Sequence, residues 1–453
     1  MGGNNLKVYT VIPNVSGHIG QWREILASVK GMGFDVVHFL PLTQRGGSLS
    51  PYAVSHPLLL DRCLQDPQTR ADHPGQLAEL LCQAGLAGCI DMVFNHVAVD
   101  GYLAKNFPQW IKRNSDGSFK HAHYAWQGGI KEWEDLVLLD YEHHDAQVRR
   151  DLWNYMFRYA DLWAGISAKT GGLIRLDNLH GSHAGFLKFT LERLKEKYCP
   201  ITSIGELFTS QEQMTALSGE LGVDYLLATQ WENGHKFVPG LRGYLASLHQ
   251  TKGAGFFFPI STHDSGTPAQ EYGCVSATLP RYAVSALLTM GATGIVQRVE
   301  YGQQEKINFI GREATTGQGR HADFRDFFRI VNQLGRKKVF YNRGDVRFVD
   351  QGHDAVIAGY RENGNIEEKF LVVANFDVYS HQQISIRPKD YGIAFNAALM
   401  PDVEGCHGSQ EKLDFQLPPC GVQIIQLHPA KYISTSFAFD KASRSVSVIQ
   451  SLN

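Results

Sequence analysis

Along the first hundred residues, short and almost wholly apolar runs alternate with longer segments in which apolar residues recur every three or four positions. Residues 6–12 form a run of the first kind, and so does Asp35-Val-Val-His-Phe-Leu-Pro-Leu42. The second carries β-branched Val36 and Val37 and few polar residues, as expected of a parallel strand covered on both faces. Between the two, Trp22, Ile25, Leu26 and Val29 share one side of a helix expected over residues 20–30. Another helix is expected to open at Asp72-His-Pro74, with Asp72 as cap and Pro74 in the first turn. Leu77, Leu80, Leu81 and Ala84 line it before Gly85.

The same reading predicts strands over residues 88–95, 172–178, 201–208, 225–231, 256–264 and 293–301, which makes eight, with helices between most of them. The clearest helix covers 145–163, with Val148, Leu152, Tyr155, Met156, Tyr159, Leu162 and Trp163 on one side. Eight strand–helix units predict an α/β chain folded as a (β/α)8 TIM barrel, in which one unit takes about 31 residues. Asp177 and Glu206 are 29 residues apart, and Glu206 and Asp264 are 58 apart, which fits strands 4, 5 and 7. Asp91 and Asp177 are 86 apart, so an insertion is expected after strand 3. It covers 97–140, rich in Gly, His, Asn and Trp, and reads as a small irregular subdomain beside the barrel mouth.

Beyond a helix expected near 323–335 the texture changes to short alternating runs at 346–349, 355–360, 370–376, 383–387 and 422–427, separated by turns such as Asn363-Gly364. The expected division is a catalytic barrel over 1–336, including 97–140, then a C-terminal antiparallel β-sandwich over 337–430. Residues 431–453 are read as a tail or an extra hairpin.

Charge narrows the partners. With 43 Lys and Arg against 45 Asp and Glu, the chain has no net field to gather nucleic acid or an anionic membrane. Seven cysteines form no C-x-x-C pair, which argues against a disulfide framework or thiolate metal site and for a reducing compartment. The N-terminus lacks a basic segment followed by an apolar run, and no stretch approaches the ~18 apolar residues of a membrane span. The expectation is a soluble, cytoplasmic protein.

Asp91, Asp177, Glu206 and Asp264 all fall in or at the end of predicted strands. In a (β/α)8 barrel such positions converge on one mouth, and a pair of carboxylates there is what cleavage of an acetal bond requires. Each acid alone could cap the following helix; four at four strand ends need a common reason. Arg175, two residues before Asp177, faces the same way on a strand and is expected to hold that carboxyl ionised, as suits a nucleophile. Glu206, closing its strand, suits the proton donor.

These residues carry a family resemblance. Asp91-Met-Val-Phe-Asn-His96, Ile174-Arg-Leu-Asp177, Ile204-Gly-Glu206 and Thr262-His-Asp264 resemble, in order and spacing, the four signature regions of the α-amylase superfamily, glycoside hydrolase family 13. Within it, Val37-His-Phe-Leu-Pro-Leu42, Arg175-Leu-Asp-Asn-Leu-His180 and Gly205-Glu-Leu-Phe208 look most like the 4-α-glucanotransferase half of glycogen debranching enzymes. The resemblance implies Asp177 as nucleophile, Glu206 as acid/base and Asp264 as third carboxylate. It implies sugar contacts from Arg175, His96, His263, His180, Asp91 and Tyr52, the last in Ser50-Pro-Tyr52 and stacked on the ring. His180 follows Asp177 by three residues where many amylases have four, so amylase contacts beyond the cleavage point do not transfer directly.

The substrate so implied is an α-glucan or oligosaccharide, with water, another sugar or phosphate as acceptor, and with no required cofactor. An optional structural calcium ion at Asn95 is also implied. His121-x-His123 and His143-His144 do not read as zinc sites, since no Cys or carboxylate at metal-like spacing completes them. The competing reading is a non-catalytic carbohydrate-binding protein on the same barrel, which retention of all three acids and Arg175 disfavours.

Overall fold

The computed structural model describes residues 5–67, 74–126, 129–229, 232–250, 253–289, 291–311, 319–341, 345–364, 366–399, 406–408, 411–429 and 431–452. Eight parallel strands close a barrel in chain order. They are β1 (Lys7–Val11), β2 (Val36–Phe39), β3 (Ala87–Met92), β4 (Leu173–Leu176), β5 (Thr202–Gly205), β6 (Tyr225–Leu227), β7 (Gly255–Pro259) and β8 (Gly291–Val296). The barrel closes through the pairing of β1 with β8, Lys7 opposite Thr293.

Period-two alternation decides which residues meet inside. Val8, Val36, Cys89, Leu173, Ile204, Leu227 and Phe257 pack into one cluster that fills the lumen. Their neighbours Tyr9, Val37, Ile90, Ile174 and Phe256 point outward against the helices. Two residues further along the strands, the same parity aims Thr10, His38, Asp91, Arg175 and Glu206 into the lumen above the apolar layer. The polar floor of the mouth follows from the alternation.

The predicted strands end early, because the chain turns before the functional residues. β4 stops at Leu176 and Asn178 adopts left-handed geometry at φ 43°, which Asn tolerates. β3 stops at Met92, β5 at Gly205, and β7 at Pro259, leaving Thr262, His263 and Asp264 in a loop. β8 stops at Val296, followed by left-handed Arg298 and a 3-10 turn over Val299–Tyr301. Residues 230 and 231 of the sixth predicted strand lie outside the described residues, as do Asp72 and His73 of the expected cap; the helix there runs Pro74–Ala84. The helix predicted over 145–163 spans Ala146–Ala168, with Asp145 capping the amides of Gln147 and Val148. Leu162, expected on its apolar side, is exposed.

The insertion is regular where an irregular segment was expected. His96–Ala98, Gly129–Leu138 and His121–Trp126 form a three-stranded antiparallel sheet at one side of the mouth. A hairpin not foreseen, Thr43–Arg45 with Val54–Leu60, follows β2 and carries Tyr52 in its turn. Arg45, gripping Asp61 at 2.9 Å, ties its base.

After the helix Arg325–Leu334, a six-stranded antiparallel sheet faces a three-stranded one of Gln382–Ile386, Leu413–Leu417 and Cys406–Gly408. Lys431–Asp440 and Ser445–Leu452 pair as a hairpin at the edge of the larger sheet. Val356, Ala358, Leu371 and Val373 pack toward the small sheet. Ile357, Phe370, Val372 and Ile424 join the core that also surrounds the barrel. This sheet is therefore buried on both faces, and at Gly359 a Cβ would stand 2.5 Å from Leu288. The seven cysteines are free thiols. Among the described residues no helix is long and apolar enough to cross a membrane.

Candidate active site

Arg175 is the centre of the floor. Buried on β4, it places Nη1 at 2.9 Å from both Asp91 oxygens and 2.8 Å from Asp177 Oδ1, and Nη2 at 2.7 Å from Glu206 Oε1. One guanidinium thus fixes three carboxylates with charge-assisted bonds. Since Asp177 offers Arg175 only Oδ1, its second oxygen is not held by that cation. The amide of left-handed Asn178 donates to Glu206 Oε2 at 2.9 Å, so the turn after β4 also orients the acid from β5.

Asp91 has no accessible side-chain surface. Its oxygens are taken by Arg175 and by the Tyr52 hydroxyl at 2.8 Å. It supports the floor from below and does not reach the cavity, which corrects the expected sugar contact. Tyr52 stacks on His263 with 5.3 Å between centroids. Because its hydroxyl proton goes to Asp91, His263 Nε2 must donate, to Tyr52 Oη at 2.7 Å and Asp264 Oδ2 at 2.9 Å. His96 lies buried with Nε2 3.2 Å from the Tyr52 carbonyl, which makes Nε2 the donor; burial lowers this histidine to about 4 and keeps it neutral.

The two acids nearest the reaction point diverge. Burial pushes Asp264 up, but His263, Arg175 and Lys306 outweigh it and bring the carboxyl to about 2. Its side chain is 53% accessible, so solvent screens those ion pairs. Asp177 goes the other way. Burial first, then the Glu206 charge, raise it well above the ordinary range despite Arg175. This corrects the expectation that Arg175 would hold Asp177 ionised: the guanidinium is shared among three acids, and burial beside the Glu206 charge favours a proton there.

Above the floor opens a cavity of about 420 Å³, the size of a small-ligand site. Asp177, Glu206, Asp264, His96, His180 and Tyr52 line it. Its walls were not anticipated. The inserted sheet contributes His123, Tyr124, Trp133 and Asp135, with Tyr124 and Trp133 stacked at 4.5 Å. The opposite rim carries Phe208, Phe309 and Ile310, with Phe208 and Ile310 exposed. Period-two spacing of Trp133 and Asp135 was the available signal. A larger recess, about 540 Å³, lies at the other end of the barrel beside Asn5, Asp35 and Arg336, far from the carboxylates, so volume does not select the site.

The calcium implied at Asn95 finds little support in the donor set. Asn95 Oδ1 is buried without a hydrogen-bond partner, but among the described residues no three His, Cys, Asp or Glu side chains gather into a metal site. One neutral oxygen does not make the carboxylate-rich cage that calcium favours. His121 is engaged by the carbonyls of Trp133 and Leu136, and His143 and His144 stack on each other.

Residues 1–115 match the family model of the glycogen debranching enzyme glucanotransferase domain. An α-1,4-glucan:maltose-1-phosphate maltosyltransferase from Chlorobaculum tepidum is 26% identical over 258 residues, 53% of this chain and 36% of its own length. The glycogen debranching enzyme of Saccharomyces cerevisiae is 25% identical over 118 residues, 26% of this chain and 7% of its own length. The chain thus spans little more than a third of the first relative and a small part of the second. Among solved structures, an α-amylase from Lactobacillus plantarum superposes with TM-score 0.73 at 15% identity, covering 93% of this chain and 99% of that one. The chain is thus similar over its first quarter to the glucanotransferase domain of glycogen debranching enzymes and shares its fold with the α-amylase structure. In this chain the segments around Asp91, Asp177, Glu206 and Asp264 supply the floor, while the inserted sheet and the Phe208 and Ile310 rim supply the wall.

Proposed function

We propose that the protein is a retaining α-glucan-active enzyme that cleaves α-glucosidic bonds, α-1,4 in the first instance, and passes the sugar to water or to another sugar. The observation that carries this reading is the pair Asp177 and Glu206 held at the two ends of one buried guanidinium, on the floor of a cavity walled by aromatic rings. Flat apolar faces suit sugar rings, and the polar floor suits the reacting acetal.

In the first step Asp177, as carboxylate, attacks the anomeric carbon while Glu206 gives its proton to the departing glycosidic oxygen, leaving a glycosyl ester on Asp177. In the second step Glu206 takes a proton from the acceptor hydroxyl, which attacks the same carbon and releases the Asp177 carboxylate. Arg175 holds both acids in position, and ionised Asp264 faces the positive charge that develops on the sugar. Asp177 and Glu206 are close enough on one guanidinium to titrate as a pair, and the reacting complex is the one in which the shared proton stands on Glu206 and Asp177 is a carboxylate.

A second donor class is supported by the relatives. The maltosyltransferase named above is called after a maltose 1-phosphate donor, so a sugar phosphate could replace the glucan as the cleaved species in the same two steps. One experiment separates these readings. Maltooligosaccharides are incubated with the protein with and without phosphate, and the products sized. Shorter chains alone mean hydrolysis, a ladder of longer and shorter chains means transfer, and phosphate-dependent sugar phosphate means phosphorolysis. No product at high protein concentration would favour the non-catalytic binding reading.

A further inference from the structure

The second barrel strand contributes to the polar layer a side chain that the steps above do not use. His38 follows lumen-facing Val36 by two residues and is buried. Its Nδ1 lies 3.2 Å from Thr10 Oγ1. Its Nε2 lies 3.5 Å from Asp91 Oδ2, outside hydrogen-bonding geometry, and is a buried atom with no partner. Ser261 Oγ is likewise buried and unpartnered. Both residues line one small cavity, about 20 Å³, directly beneath the catalytic floor, together with Thr10, Arg175, His263 and Asp264. A water molecule needs roughly 10–15 Å³ on this measure and two to four polar neighbours. Two buried polar atoms with no protein partner in one enclosed space would each cost about 1–3 kcal/mol if nothing else satisfied them.

We propose that this cavity is the site of one ordered water molecule bridging His38 Nε2 and Ser261 Oγ, and that His38 with this water positions Asp91 and, through it, Arg175. The kinetic part rests on the function proposed above; the water site does not. In this arrangement the Thr10 hydroxyl donates to His38 Nδ1, Nε2 carries the ring proton and gives it to the water, and the water relays the contact to the near oxygen of Asp91. Burial holds the imidazole neutral. The charged or titratable groups facing it are Asp91 from β3, Arg175 from β4 and His263 from the loop after β7. A neutral ring here faces Asp91 without competing with Arg175 for its charge, as a second cation would. His38 touches no reacting atom and is a positioning residue.

The test uses the full-length protein and its His38→Ala and His38→Gln variants. A high-resolution crystal structure of the wild type should show water within hydrogen-bonding distance of both His38 Nε2 and Ser261 Oγ, and no solvent density there overturns the site. His38→Ala should lower kcat on maltooligosaccharide roughly ten- to a hundredfold with little change in KM, by analogy with the loss of other supporting hydrogen-bond partners. The acid limb of its pH profile should move upward, because Asp91 loses the contact relayed to it through the water. His38→Gln, which keeps an N–H donor, should recover part of the kcat. If both variants only melt earlier and keep wild-type kcat and pH limb per folded molecule, His38 is a core filler and the positioning role is wrong. Should the wild type turn over no glucan or sugar phosphate, the proposed function fails, while the crystallographic density still decides the water site.

Discussion

Replacing Glu300 by Gln should stabilise the protein in mildly alkaline solution far more than in acid. Glu300 sits in the turn after β8, fully enclosed, with the Tyr9 hydroxyl donating to Oε1 at 2.7 Å and Oε2 without a partner. Burial is the largest influence on its carboxyl and outweighs the bond from Tyr9, the backbone donors and Arg298, raising it from 4.5 to about 7. The unfolded chain ionises near the lower value, so between the two the folded state holds the extra proton. The contribution of this group is therefore intact below the unfolded value and is lost as pH rises through about 7. A difference of two to three units amounts to about 3 kcal/mol. Gln keeps a carbonyl for Tyr9 and brings no charge, and any cost of its amide N–H groups is the same at both pH values. Urea unfolding near pH 5 and near pH 8.5 should show the variant-minus-wild-type difference growing by about 2.5 kcal/mol at the higher pH. A difference that stays constant refutes the buried, proton-binding carboxyl.

Other consequences are checked by kinetics and unfolding. Tyr52→Ala should weaken sugar binding and leave residual turnover, while Tyr52→Phe, which keeps the ring and loses the bond to Asp91, should spare KM and lower kcat; the two constants measured on maltooligosaccharide decide. Trp133→Ala should raise KM severalfold with little effect on kcat, since its ring belongs to the wall and not the floor. Gly359→Ala should cost about 1–3 kcal/mol in urea unfolding, because the added methyl meets buried Leu288.

Much of this arrangement is visible in the sequence because one rule, alternation along a parallel strand, operates eight times. Apolar Val8, Val36, Cys89, Leu173 and Ile204 announce the lumen, and the polar residue two places on from each is then bound to meet the others at the mouth. The spacing of Asp177, Glu206 and Asp264 follows from the length of the repeating unit. What depends on contacts between distant segments is not visible in this way. Tyr124 and Trp133 meet across two strands of an insertion whose pairing carries no repeat. The proton affinity of Asp177 depends on its burial first and then on Glu206 coming to the same guanidinium, and a local view from Arg175 two residues away gives the opposite sign. Asp91 looks like any other strand-end acid until the Tyr52 hydroxyl and Arg175 are found to occupy both its oxygens.

The central claim is that Asp177 attacks the anomeric carbon and Glu206 handles the proton, so that two inversions leave the configuration unchanged. Glu206→Gln should still form a glycosyl ester from a substrate whose leaving group needs no protonation, visible as a mass increase of the intact protein, while Asp177→Ala should form none. The most direct measurement is proton NMR of the first product released by the wild-type protein, read before mutarotation. The account predicts the α anomer; a β anomer released first would mean that water attacks directly, and would contradict the assignment of Asp177 as nucleophile.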